Sequence, residues 1–170
     1  PGLNFMPTGG VNEKNMLDYL AFDRIICCGG TFMCPKDLIV NKEWDKITEL
    51  TRSAVNKMLG FEIRHIGINT ESAEESMAEC KKLAALMGMP IKEGNSSNFV
   101  GTGVEINKYM GRGKHGHIAI GTNSVKRAKW HLGQRGYKFI EESAVVKSGK
   151  LIAIYLEDEV SGFAVHLVQK

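Results

Sequence analysis

Two histidines 52 residues apart sit in nearly repeated surroundings. Arg64-His65-Ile66-Gly67-Ile68-Asn69-Thr70 and Gly116-His117-Ile118-Ala119-Ile120-Gly121-Thr122 each alternate as a half-buried strand, and each is followed by a helical pattern. A recurrence of this kind marks an internal duplication. Pseudo-symmetry then relates His65 to His117, so the two rings can converge on one centre. Two or three imidazoles with one carboxylate suit Zn, Ni, Fe or Mn and leave positions open for a substrate. The competing reading is that each ring simply packs within its strand. His115 and His131 lack a matched partner and are expected at the surface.

A second group of residues lies near the start of the sequence. Phe5-Met6-Pro7-Thr8-Gly9-Gly10-Val11 reads as a buried strand entering a Thr-Gly-Gly turn, and Arg24-Ile25-Ile26-Cys27-Cys28-Gly29-Gly30-Thr31 as a second such unit. Glycine amides in a turn of this kind can approach an anion without Cβ obstruction. Equally, the glycines can serve only to make tight turns.

The elements that must position these groups follow from the pattern. Up to residue 59 the order is strand, helix, strand, helix. Asn12 is read as a helix cap before Met16, Leu17 and Leu20. Asn41 is read as the cap of a longer helix with Trp44, Ile47, Leu50, Thr51, Ala54, Val55 and Met58 on one stripe, stopped by Gly60. Alternating β and α units imply parallel strands with helical crossovers. From residue 60 onward each repeat reads β-α-β-β-β, as modules over about 61–110 and 113–170. Ser72 with Glu75 forms a capping box before Met77, Cys80, Leu83, Ala84 and Met87, with Gly88 as the stop. Asn123 is read as the cap of the second module's helix, and Gly136 as its end. Two such modules side by side form a curved open sheet with a pocket on its concave face.

Composition narrows the function classes. The 170 residues are 43% hydrophobic and 24% charged, as in a globular protein. A net charge of +3, with bases and acids interleaved, argues against nucleic-acid binding. No apolar run approaches the roughly 18 residues of a membrane span, and no signal peptide is visible. A cytoplasmic protein without a membrane role is therefore expected. Cys27, Cys28, Cys34 and Cys80 form no CxxC pair and read as reduced, buried thiols rather than zinc ligands.

Residues 60–170 resemble the vicinal oxygen chelate superfamily, the fold of glyoxalase I, bleomycin-resistance proteins and extradiol dioxygenases. The resemblance rests on Arg64-His65-Ile66, on Gly116-His117-Ile118-Ala119-Ile120, and on Leu156-Glu157-Asp158 with Gly162-Phe163 before the last strand. It implies four ligands, one from the first and last strand of each module, which fall on His65, Glu105, His117 and His166. The last of these is commonly Glu in glyoxalase I. The implied cofactor is a divalent metal (Zn, Ni, Mn or Fe), with Glu105 able to detach and act as a base.

Residues 1–59 resemble the end of 2-keto-3-deoxy-6-phosphogluconate/4-hydroxy-2-oxoglutarate aldolase, a class I aldolase on a (β/α)₈ barrel. The resemblance is carried by the Pro-Thr-Gly-Gly turn, Gly29-Gly30-Thr31-Phe32, Pro35-Lys36-Asp37-Leu38 and Trp44-Asp45-Lys46-Ile47-Thr48. It implies the seventh and eighth β/α units, whose loops commonly build a barrel's phosphate site. Thr8, Gly9, Gly10, Gly29, Gly30 and Thr31 are then the candidates for holding a substrate phosphate. The family forms a Schiff base through a lysine on the sixth strand and moves protons with a glutamate on an earlier strand. Neither Lys14 nor Lys36 matches that nucleophile, so no aldolase catalytic residue is assigned, and no cofactor for that part.

The expected fold is α/β plus α+β: two β/α units of a barrel, then a paired βαβββ domain. The parent polypeptide is expected to be a bifunctional keto-acid aldolase of which this is the C-terminal portion; the alternatives are a metal-dependent glyoxalase-like enzyme acting on a small keto or hydroxy acid, and a non-catalytic module that binds a ligand or drives oligomerisation. Expected partners are a small keto acid or phosphorylated sugar acid and a second copy of the chain, since the apolar faces of the barrel units call for cover.

Overall fold

The computed structural model describes residues 2–170. The chain divides into two compact units, Pro1–Gly60 and Phe61–Lys170. Among the described residues no helix is long and apolar enough to cross a membrane.

In the first unit the expected strands shrink to one parallel bridge, Phe5 with Ile25. Phe5, Met6 and Ile26 are more than half exposed, against the expectation of buried strands. Barrel strands bury both faces only between flanking strands, and among the described residues these two pair only with each other. The same lack of cover leaves Cys27 and Cys34 exposed and Cys28 half-buried; of the four thiols only Cys80 is buried. Three helices follow: α1 (Met16–Leu20), α2 (Lys36–Val40) and α3 (Trp44–Leu59).

The core of this unit is Val11, Met16, Leu20 and Ala54, with Ile25, Phe32 and Met58 against it. Gly60, in the left-handed region at φ 58°, ends α3 as expected. Both asparagine caps are corrected. The Asn12 side chain accepts from the Lys14 N–H, forming a turn ahead of α1. Asn41 closes α2 instead of opening α3. On α3 the stripe is narrower than expected, with Trp44 and Thr51 outside it.

The second unit is one eight-stranded sheet carrying two helices. The first module comprises β1 (Glu62–Ile68), α4 (Ala73–Met87), β2 (Ile91–Glu93), β3 (Ser97–Val100) and β4 (Val104–Asn107). The second comprises β5 (Gly116–Thr122), α5 (Val125–Gly133), β6 (Phe139–Lys147), β7 (Lys150–Val160) and β8 (Phe163–Gln169). Strand order is β2-β3-β4-β1-β5-β8-β7-β6, a palindrome about the β1–β5 seam. In both modules the first strand runs parallel to the last (β1 with β4, β5 with β8), and the two first strands meet antiparallel.

Helix α4 opens on Ser72, whose Oγ accepts from the Glu75 N–H at 3.1 Å. Glu75 returns to the Glu71 N–H rather than to that of Ser72. The α5 cap is Ser124, not Asn123. One face of the sheet packs on the helices, with Cys80, Val100 and Ile106 in the first module. Residues alternating with these along β3, β4, β1, β5 and β8 turn to the other face. That face carries the histidines.

Candidate metal centre

Register explains how four strands bring four polar side chains together. Across the β1–β5 seam Gly67 lies opposite His117, and Ala119 lies opposite His65. Each histidine is thus faced by the residue two positions after the other histidine, and both facing residues are small. The row continues outward: Gly67 also neighbours Glu105 on β4, and Ala119 neighbours His166 on β8. A Cβ on Gly67 would stand 2.1 Å from His117 Cε1 and 2.4 Å from its Nδ1. No side chain larger than hydrogen fits there while the His117 ring holds its place.

The four residues expected as ligands, His65, Glu105, His117 and His166, do converge. Nε2 of His65 and Nε2 of His117 are 3.1 Å apart. Each is also 3.1 Å from the same carboxylate oxygen, Oε2 of Glu105. His166 completes the group, its ring nitrogen within 4.8 Å of those of His65 and His117. The other Glu105 oxygen accepts from Ser97 Oγ at 2.5 Å. Burial disfavours the Glu105 carboxylate, but bonds from His117, His65 and Ser97 outweigh it and hold the group well below the usual carboxylate range. His166 is buried with both ring nitrogens unpartnered. Burial, with His117 and His65 adding to it, pushes its pKa down to about 4.

This donor set fits a divalent cation. Donors about 2.0–2.1 Å from an ion stand about 2.9 Å apart at octahedral angles and about 3.3 Å apart at tetrahedral ones. The 3.1 Å triangle of His65, His117 and Glu105 falls between these values. A buried imidazole with no partner is otherwise costly, and His166 presents one beside the triangle.

Several neighbours escaped the sequence reading. Tyr155 stacks on His166 with ring centroids 4.7 Å apart and 18° between planes. Phe99 meets the His65 ring edge-on. Ser97 opens a strand of four residues, too short to give a periodic signal. Gly67 and Ala119 were legible in principle, because the duplication aligns them as the small residue two places after each histidine. Of the other histidines, His115 is exposed, and His131 is half-buried with its Nδ1 beside Arg135.

In the first unit the two glycine turns do lie side by side. The Gly29 N–H donates to the Pro7 carbonyl at 3.0 Å. A Cβ on Gly29 would rest 3.5 Å from Thr8 Cγ2. Gly9 and Gly10 take positive φ, 77° and 70°. Gly30 is required sterically, since a Cβ there would meet the Val11 carbonyl at 2.6 Å and the Phe32 ring at 2.7 Å. Thr31 opens a short 3₁₀ turn, Thr31–Met33. Lys14 and Lys36 are both exposed.

Residues 1–50 match the family model for KDPG and KHG aldolase. Over 61 residues the chain is 42% identical to the 2-dehydro-3-deoxy-phosphogluconate aldolase of Pseudoalteromonas atlantica, covering 36% of this chain and 28% of the relative. The chain spans about a quarter of the length of the curated relatives it matches. Among solved structures, a hypothetical protein from Bacillus halodurans aligns over 65% of this chain and 94% of its own at 16% identity, TM-score 0.49. The Streptomyces coelicolor methylmalonyl-CoA epimerase in complex with 2-nitronate-propionyl-CoA aligns over 64% and 96% at 17% identity, TM-score 0.47. Residues 1–50 thus carry a segment that matches the KDPG/KHG aldolase family, and two paired βαβββ modules in one sheet follow it.

Proposed function

We propose that residues 61–170 form a metal-dependent enzyme centre of the vicinal-oxygen-chelate kind, acting on a small keto or hydroxy acid. The observation that carries this reading is the convergence of His65, His117 and Glu105 at 3.1 Å beside the unpartnered, buried His166. These four residues are the proposed ligands of Zn, Ni, Mn or Fe. A bound ion would supply Lewis-acid stabilisation of negative charge on substrate oxygens. The chain supplies the rest. His166, kept neutral by burial, offers a lone pair. Glu105 is held ionised, and Ser97 keeps its second oxygen in place, so the carboxylate can take up a proton from an acidic carbon when it leaves the ligand set. Phe99 and Tyr155 wall the site and limit water.

The test is metal uptake. Chelator-stripped protein should bind about one equivalent of Zn, Ni or Mn per chain by titration calorimetry. His65→Ala with His117→Ala should abolish that uptake. A wild-type protein that takes up none of these ions at neutral pH would sink the reading.

For residues 1–59 we propose a role in holding a phosphorylated acid through Thr8, Gly9, Gly10, Gly29, Gly30 and Thr31, within a longer bifunctional aldolase. Support comes from the family match and from the adjacency of the two glycine turns. Retro-aldol turnover is not expected from this chain, because neither Lys14 nor Lys36 matches the nucleophile of the aldolase family it resembles. Borohydride trapping with pyruvate should leave the chain unlabelled, and a labelled lysine would overturn this part.

A further inference from the structure

The loop joining the two modules, residues 108–115, is unusually well fastened for an exposed connection. Asn69, just past β1, holds it from below. Its Oδ1 accepts from the Gly111 N–H at 3.1 Å, and its Nδ2 donates to the Gly113 carbonyl at 2.8 Å and the Gly111 carbonyl at 3.3 Å. Asn107 donates to the same Oδ1 at 2.9 Å, fixing the Asn69 amide in turn. Gly113 sits so close to the sheet, at φ 75°, that a Cβ would meet the Gly116 carbonyl at 2.2 Å and the Ala164 nitrogen at 2.5 Å. The far end is tied as well, His115 donating to the Gly162 carbonyl at 3.0 Å.

Between the two pinned glycines stands Arg112. Its Cζ lies 5.4 Å from the centroid of Tyr155. Tyr155 is the residue stacked on His166. A guanidinium is therefore held at the rim of the histidine cluster by a loop fixed in place. The two ring contacts, 5.4 Å and 4.7 Å, put the guanidinium no more than about 10 Å from the His166 imidazole, within reach of a short diacid. The side chain is exposed, and among the described residues no carboxylate pairs with it. Loops of surface glycines and arginine ordinarily move. Here several hydrogen bonds from one side chain hold the backbone on either side of a cation that no carboxylate among the described residues pairs with.

We infer that Arg112 is an anion anchor for this site, and that its ligand is a short 2-oxo or 2-hydroxy dicarboxylic acid. One end, with its two vicinal oxygens, addresses the histidine–glutamate centre. The second carboxylate meets Arg112 in a bidentate pair, the geometry for which a guanidinium fork is suited. This rests on the metal-centre reading for the first end only. The second end depends on Arg112 alone.

The probes are 2-oxoglutarate and 2-oxopentanoate, which share a five-carbon chain and differ in the terminal carboxylate. With Mn-loaded protein, calorimetry should show 2-oxoglutarate binding at least about tenfold more tightly. Arg112→Gln should erase that preference while leaving Mn affinity and 2-oxopentanoate affinity unchanged, and Arg112→Lys should restore part of it. Equal binding of the two acids by wild type, or a preference that survives in Arg112→Gln, would overturn the inference. Failure to load Mn would overturn the metal reading instead. The same pair of acids titrated into metal-free protein would then decide Arg112 by itself, on the same criterion.

Discussion

Gly67 and His117 face each other across the central seam of the sheet, and the imidazole occupies the space that any Cβ at position 67 would need. The relationship is reciprocal in the duplicated fold, since Ala119 stands opposite His65. Ligand placement is therefore set as much by what is small as by what is polar. Gly67→Ala should push the His117 ring away from Glu105 and lower metal affinity about 10- to 100-fold, as loss of a supporting neighbour does at other metal sites. The fold should survive, because overpacking of this kind costs about 1–3 kcal/mol. Metal titration together with a thermal melt checks both halves of the expectation.

Stability and metal binding should trade against each other at His166. Its two buried, unpartnered nitrogens cost the metal-free protein about 1–3 kcal/mol. His166→Leu should raise the melting temperature of the stripped protein and weaken its uptake of metal. Equal or lower stability in the stripped variant would show that the ring is satisfied in some other way.

The metal-free protein should lose stability in acid, and the direction follows from His166. Its folded pKa lies near 4, below the ordinary histidine value of 6.5. Between those values the unfolded chain binds the extra proton and the folded chain does not. Stability is thus insensitive to this group above pH 6.5 and falls as pH drops toward 4, a change of about 3 kcal/mol. Glu105 extends the loss below pH 4.5, because its folded pKa is also depressed. Denaturant midpoints measured from pH 7 to pH 4 should fall in wild type and stay nearly level in His166→Leu across the upper part of that range.

Asn69 makes four side-chain hydrogen bonds to Gly111, Gly113 and Asn107. Asn69→Ala should cost about 2 kcal/mol and release the loop that carries Arg112. Proteolysis should then cut between residues 108 and 115 faster than in wild type, with metal uptake preserved.

Gly30→Ala should destabilise the first unit through the Val11 carbonyl and the Phe32 ring, while leaving the melt of the second unit in place. Separate probes suit this comparison, since Trp44 lies in one unit and Trp130 in the other.

Much of the second unit was legible because its signals are local and repeated. Alternation in 62–68 and 116–122, the Ser72 cap and the glycine stop at Gly88 each act over a few residues. The 52-residue recurrence then gave the pairing that brings His65 to His117. What stayed hidden depends on side chains brought together by register. Ser97 reaches Glu105 only because β3 pairs with β4, and Tyr155 reaches His166 only across β7 and β8. In the first unit, strand-like apolar sequence predicts burial, but Phe5, Met6 and Ile26 are exposed because burial needs neighbours that periodicity cannot supply. The displaced caps at Asn12, Asn41 and Asn123 show a milder limit, since any short polar residue near a boundary competes for the same role.

The palindromic strand order has a mechanical consequence. His65 and Glu105 belong to one module and His117 and His166 to the other, so the two modules each hold half of the donor set. An ion held by all four would act as a rivet through the β1–β5 joint. Without it the joint rests on the antiparallel pairing of β1 with β5 and its packing; with it, the halves gain a second fastening that spans the same seam.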